Sequence, residues 1–214
     1  MMPEEEAARL MRFILDLRQA GVTDARALAM LERTPRAAYA PPHLQALAME
    51  DRALPLAHGQ IMSKPSLVGR MLAALDLAPE HAVLDIGAGS GFQAAAIASC
   101  ARRVTTLDRW LDLIVSAREQ IGRARLMNVA AHLADGLEGY AAEAPYDRIV
   151  LNGAVPEIPL ALREQLAPGG IIVAPVQEGG REEGAARLVR LRKGEPEDLG
   201  PIAFAPLEPG LGAD

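Results

Sequence analysis

The sequence predicts a doubly wound α/β fold on a mostly parallel seven-stranded sheet, preceded by a helical section. Three observations carry that prediction. From Ser66 onward, short apolar runs alternate with helical stretches, the pattern of a sheet covered on both faces. The first of those runs, "AVLDIGAGSG", ends in glycines and passes directly into the small-residue helix "FQAAAIASC". Residues 1–55 show helical periodicity and no obvious sheet of their own. The expected organisation is a helical section over 1–55 and a ligand-binding α/β domain over 56–214.

Each element follows from local chemistry. "PEEEAARLMRFILDLRQAG" opens with Pro and three Glu, which suit the positive end of a helix dipole. Leu10, Ile14 and Leu17 then recur at helical spacing until Gly21. "TDARALAMLERTP" reads as a second helix, with Thr23 as N-cap and Pro35 closing it. "APPHLQALAMED" is turn-rich, then helical. "SLVGRMLAALDL" is an apolar-faced helix, capped by Ser66 or introduced by Pro65. After "AVLDI", the runs "RVTTLDR", "VAAHLAD", "YDRIVLNGAV" and "GGIIVAPVQ" read as strands, and "WLDLIVSAREQIGRARL" and "IPLALREQL" as helices. "ARLVRLRKG" and "GPIAFAPL" complete the sheet as an antiparallel addition, and "EGGREEGA" reads as a polar surface turn.

Bulk composition narrows the function. A chain of 214 residues holds one sizeable α/β domain with a small appendage. A net charge of −6 and only 3% aromatic residues argue against a nucleic-acid partner, which needs clustered cations or stacking platforms. Cys100 is the only cysteine and, within "AAAIASC", reads as a small buried hydrophobe. His43, His58, His81 and His132 lack zinc-ligand spacing, so no metal is expected. No apolar run approaches the roughly 18 residues of a membrane span, and "MMPEEEAARL" is acidic where a signal peptide is basic, so the expected location is cytoplasmic.

"LDIGAGSGFQ" is the most informative stretch. Gly87, Gly89 and Gly91 follow a strand and open a helix, where backbone must approach a ligand closely, although tight turns need glycine for structural reasons too. Phe92 stands where a dinucleotide fingerprint wants Gly or Ala, which favours a nucleoside ligand without a pyrophosphate. Asp108 ends the next strand, where a carboxylate accepts both ribose hydroxyls; alternatively it is a solvated acid or a partner of Arg109. Asp135-Gly136 ends the third strand, placed to meet an adenine amino group or simply to turn. Asp85 ends the first strand and could reach an ammonium, directly or through water. Together these features suggest S-adenosyl-L-methionine.

The same residues resemble the protein-L-isoaspartate (D-aspartate) O-methyltransferase family from about Thr34 to about Leu207. "VLDIGAGSGFQAA" is similar to that family's V-L-E-I-G-[ST]-G-S-G-Y-Q-A-A. "MEDRALPLAHGQIMSKPSLVGRM" is similar to its Y-x-D-x-x-L-P-I-x-x-G-Q-T-I-S-x-P segment. "APYDRIVLNGAVPEIPLALREQLAPGGIIVAPV" and "LGPIAFAPL" resemble its later blocks, in the right order. The resemblance implies a Rossmann-like methyltransferase sheet and methyl transfer from S-adenosylmethionine to the α-carboxylate of isoaspartyl residues in damaged proteins or peptides. It implies cofactor contacts from Asp85, Gly87, Gly89, Ser90, Gly91, Gln93, Asp108, Arg109, Asp135 and Gly136. Ser63 is expected to orient the substrate carboxylate, with helix capping as its structural alternative, and Gln60, Ile61, Met62 and Asn152 to face substrate. The implied protein is a monomer or small homo-oligomer acting without nucleic acid or membrane.

The departures lie on the acceptor side. The family's Thr and Ile are Ile61 and Met62 here, Lys64 follows Ser63, and the family's T-A-A is Asn152-Gly153-Ala154. Ala37, in "TPRAAY", takes the place of a usual His. A relative with another carboxylate or small-molecule acceptor, or a cofactor-binding protein with little turnover, are the alternative readings.

Overall fold

The structure, a computed structural model, describes residues 4–177, 185–192 and 194–212. The expected surface turn "EGGREEGA" falls, except for Ala185, outside the described residues. Helices α1 (Glu4–Gln19) and α2 (Ala25–Arg33) form the N-terminal section. The cap of α2 is Asp24 and not Thr23: its carboxylate accepts the Ala27 amide at 2.7 Å. Residues 36–38 and 42–47 form 3₁₀ turns in place of a third α-helix.

A two-residue hairpin that sequence reasoning missed comes next. Strands β1 (Leu54–Pro55) and β2 (Ile61–Met62) pair antiparallel, with Leu54 opposite Met62. They are too short to show a period of two. Helix α3 (Pro65–Ala74) then begins with Pro65 in its first turn, and the Ser66 amide is satisfied by the distant Asp51 carboxylate at 2.7 Å. Ser63 is thus no helix cap.

The main sheet comprises β3 (Ala82–Ile86), β4 (Arg103–Asp108), β5 (Val129–Leu133), β6 (Tyr146–Leu151), β7 (Leu166–Gln177), β8 (Ala185–Arg192) and β9 (Glu195–Ala203). Between them lie α4 (Phe92–Ala98), α5 (Leu111–Arg123) and α6 (Leu160–Glu164). The spatial order is β5-β4-β3-β6-β7-β8-β9, parallel through β7 and antiparallel beyond it. Chain order reverses between β3 and β6, and the carboxyl ends there open a crevice of the kind that holds ligands.

Strand β9 starts before the expected "GPIAFAPL". Its early residues are charged and exposed, and cross-strand pairs hold them: Arg190 to Glu197 at 2.6 Å and Arg187 to Asp198 at 2.5 Å. Ion pairing of this sort leaves no apolar signature to read. The N-terminal helices also share one core with the sheet domain. Phe13, Leu17 and Leu31 pack in the same cluster as Met71, Leu72, Phe92 and Ile97. The division at residue 55 is therefore a division of chain and not of core.

Candidate active site

The crevice is walled on one side by the turn after β3. Gly87, Gly89 and Gly91 all take positive φ, at 90°, 52° and 82°. At Gly87 a side chain would also collide, since a Cβ there lies 3.0 Å from that of Asn152. The turn hangs on β4 through the Gly87 and Ala88 amides, which donate to the Leu107 carbonyl at 2.8 and 2.7 Å.

Beneath the turn sits a buried polar network centred on Asp85, which has no solvent exposure. Its carboxylate accepts from Thr106 Oγ1 at 2.7 Å, Asn152 Nδ2 at 2.9 Å and Gln93 Nε2 at 3.2 Å. Gln93 also donates to Asn152 Oδ1 at 2.7 Å. Burial pushes the Asp85 carboxyl up to about 6, against the pull of those hydrogen bonds. Asp85, expected to reach a ligand ammonium directly or through water, does not itself line the crevice; its carboxylate stiffens the turn from below.

Asp108 does line the crevice, at the end of β4. Its Oδ2 accepts the Gly89 amide at 2.8 Å and its Oδ1 the Trp110 amide at 3.1 Å, which ties it to the glycine turn. Burial raises its pKa, opposed by these backbone donors. Each oxygen keeps a second acceptor site for a ligand hydroxyl. Arg109 pairs with Glu208 and not with Asp108. Ser90 lines the crevice, its hydroxyl accepting from the Phe92 amide at 3.4 Å.

Asp135 takes up the turn that the sequence offered as its alternative role. Its two carboxylate oxygens accept from Leu137 at 2.9 Å and Gly210 at 2.6 Å, so it closes its own turn and holds the chain's C-terminal segment. Gly136, not Asp135, lines the crevice. That glycine is required by packing, since a Cβ there would lie 2.3 Å from Ile86 Cγ2.

The facing wall is the segment Gln60–Ser63. Ile61 is half exposed, Met62 buried at 3% and Ser63 partly buried. Met62 therefore points mainly into the core, paired with Leu54, and offers substrate less than the sequence implied. The Ser63 hydroxyl bonds to no group among the described residues and is free for a ligand. Asn152 lines the crevice as well, but its side chain belongs to the Asp85 network and also donates to the Gly87 carbonyl at 3.2 Å.

Two contributors escaped the sequence reading. His58 stacks on Trp110 with ring centroids 3.9 Å apart and bonds Asp112 at 2.8 Å, fastening the hairpin turn to the start of α5. Phe204 to Glu208 form the floor near the carboxyl ends of β6 and β7. Leu207 presses on Gly153, where a Cβ would lie 2.8 Å from its own. The only signals were a Trp two residues after Asp108 and a leucine beyond the last strand, and neither is specific. Among the described residues no group of His, Cys, Asp and Glu could hold a metal ion.

Residues 8–209 match the profile of the family described as protein-L-isoaspartate(D-aspartate) O-methyltransferase. The chain belongs to this family. Curated relatives agree along nearly the whole length. The protein-L-isoaspartate O-methyltransferase of Azorhizobium caulinodans is 44% identical, covering 98% of this chain and 97% of its own. That of Cereibacter sphaeroides is 43% identical, covering 99% and 97%. Among solved structures, a protein-L-isoaspartate O-methyltransferase superposes with a TM-score of 0.82 at 21% identity, over 95% of this chain and 67% of that one. A putative Plasmodium falciparum enzyme of the same name, in complex with S-adenosyl-L-homocysteine, gives 0.77 at 20% identity, over 92% and 97%. At such identities the superpositions establish the fold, a Rossmann-like methyltransferase sheet.

Proposed function

We infer that this protein transfers a methyl group from S-adenosyl-L-methionine to the α-carboxylate of L-isoaspartyl or D-aspartyl residues in damaged proteins or peptides. The observation that carries this reading is the crevice itself: the glycine turn and Asp108 face the free Ser63 hydroxyl across one space. The donor set fits the cofactor, since Asp108 is a buried carboxylate with spare acceptor sites where a ribose diol would lie.

When bound, the cofactor supplies a methyl group on a sulfonium that departs as a neutral thioether. The acceptor carboxylate is already ionised at neutral pH, so no protein base has to remove a proton. The chain's own task is alignment and exclusion of water. In this reading Asp108 holds the ribose, the turn from Gly87 to Gly91 lies against the amino-acid end, and Ser63 donates a hydrogen bond to the acceptor carboxylate. Arg109, Ser90 and Gly136 complete the cofactor wall, while Gln60, Ile61 and Asn152 border the acceptor. Gln93 borders the same space while bonding Asp85, which acts from beneath the turn, and Asp135 acts through the C-terminal segment it holds. A cytoplasmic location, the absence of a nucleic-acid partner, and a monomer or small homo-oligomer belong to the same reading.

The test is incubation with labelled methyl donor and an isoaspartyl peptide beside its aspartyl twin. Base-labile methyl ester on the isoaspartyl peptide alone is expected; retained cofactor binding with no ester on either would sink the assignment. One observation favours a second reading of acceptor choice. Ile61 stands half exposed at the crevice mouth where the family has Thr. That swap exchanges a hydroxyl for an apolar surface and favours acceptors with an apolar neighbour. A peptide series varying the residues flanking isoaspartate reads this directly.

A further inference from the structure

The segment "TPRAAY" contains a buried cation that the site described so far does not use. Arg36 is 1% exposed, yet no carboxylate is bonded to it among the described residues. Its Nη1 donates to the carbonyls of Ala48 at 3.0 Å and Glu50 at 3.5 Å. Its Nη2 donates to those of Arg52 at 2.9 Å, Ser63 at 3.1 Å and Met62 at 3.5 Å. Asp51 lies near enough to act on it electrostatically, but that carboxylate accepts the Ser66 amide. Burial lowers the guanidinium to about 10, so it stays charged at neutral pH.

A buried cation is a costly way to fill space, and a hydrocarbon of similar volume would commonly stabilise a core as well or better. What a guanidinium offers instead is a rigid planar fork of donors able to serve several acceptors at once. Here the fork joins two chain segments, 48–52 and 62–63, on either side of the β1–β2 hairpin. Its Cζ also lies over the Phe92 ring, 6.0 Å from the ring centre, at the first residue of the helix that follows the glycine turn. One side chain therefore relates the backbone of Ser63 to the start of α4, without reaching the crevice.

We propose that Arg36 is a positioning residue for methyl transfer: by holding the Met62 and Ser63 carbonyls it aims the Ser63 hydroxyl at the acceptor. This rests on the carboxyl-methylation reading above. A lysine at 36 keeps the charge but concentrates its donors on one nitrogen, which cannot serve both segments equally.

Arg148 provides an internal control. It is also buried and donates to carbonyls, those of Leu75, Asp76 and Asp147, on a part of the fold remote from the strip. Arg36→Lys, Arg36→Met and Arg148→Lys are compared with wild type for cofactor affinity, kcat and KM on an isoaspartyl peptide. The expectation is that Arg36→Lys lowers kcat by about tenfold and leaves cofactor affinity within about twofold, a loss confined to alignment. Arg148→Lys is expected to lower thermal stability while keeping kcat. In a Ser63→Ala background, Arg36→Lys should cost little more, because the two act as one unit. Unchanged kcat in Arg36→Lys, full additivity with Ser63→Ala, or an equal kcat loss in Arg148→Lys each overturns the proposal.

Amide hydrogen exchange over residues 54–64 reads the same idea without turnover. Faster exchange in the Arg36 variants is expected, and exchange like that of wild type overturns it. An inactive wild type combined with faster exchange in the variants would thus count against the acceptor assignment and leave the anchoring of the strip standing.

Discussion

The wall built on the glycine turn is held from inside the sheet, whereas the facing strip, Leu54–Ser63, is held from its ends. In the first, Asp85, Thr106, Gln93 and Asn152 bond one another beneath a turn that also hangs on Leu107. In the second, a two-residue ladder is fixed by Arg36 near Ser63 and by His58 against Trp110 and Asp112. The difference teaches where variation is tolerated. On that side glycines meet neighbours that leave little room, as Gly87 of the turn meets Asn152 and Gly136, after β5, meets Ile86. The outward residues of the strip meet solvent, so Ile61 can replace a threonine without disturbing anything that holds the strip in place.

Breaking the turn's support should produce the largest effect. Asp85 carries a folded pKa raised from 3.8 to about 6, so the folded state holds its proton over a range where the unfolded state has released it. Stability from this group therefore falls as pH rises through that range, by on the order of 3 kcal/mol, and then stays flat. Asp85→Asn lacks this penalty, so its stability relative to wild type should climb between about pH 4 and 6. Denaturant midpoints of both proteins across that range check it, and a flat difference would place the carboxyl outside the network.

A smaller loss is expected at the crevice surface. Asp108→Ala should weaken cofactor binding by about 2 kcal/mol, the value of hydrogen bonds to a charged group, with calorimetry as the measurement. Unchanged affinity removes its ribose role. On the opposite wall, Ser63→Ala should lower turnover by about 1 kcal/mol in activation free energy and leave cofactor affinity close to wild type. Steady-state kinetics with an isoaspartyl peptide separates the two, and full activity would leave Ser63 without a part.

The smallest effect belongs to the strip's far anchor. Trp110 is the only tryptophan, so its fluorescence reports the stack with His58 directly. His58→Ala should change that emission and cost about 0.5–1 kcal/mol of stability, as loss of one ring pair does. An identical spectrum would show that the rings do not stack in solution.

Much of the turn's side was legible because its chemistry is local. A strand, three glycines and a small-residue helix occupy consecutive positions, and Asp108 ends the neighbouring strand. Even there, depth was not legible: Asp85 and Asp108 both lie near the carboxyl ends of their strands, yet only Asp108 lines the crevice. Asp85 stands level with Thr106, two residues before Asp108 on the neighbouring strand, so it lies on the same face but one pleat deeper in the sheet. The strip was recognised only through family resemblance. Its partners, Arg36 and Trp110, lie some 25 to 50 residues away in sequence, a spacing that no periodic pattern encodes.

By itself the sequence determined the alternation of strands and helices, the glycine turn and membership of a methyl-transferring family, because these rest on propensity and contiguous motif. Only the tertiary structure decided that Asp85 braces while Asp108 faces the ligand space, that Asp135 ties down the C-terminal segment, and that Arg36 bonds the backbone carbonyl of Ser63. Those roles depend on which buried polar groups find partners once distant segments meet, and burial is a property of the packed chain as a whole.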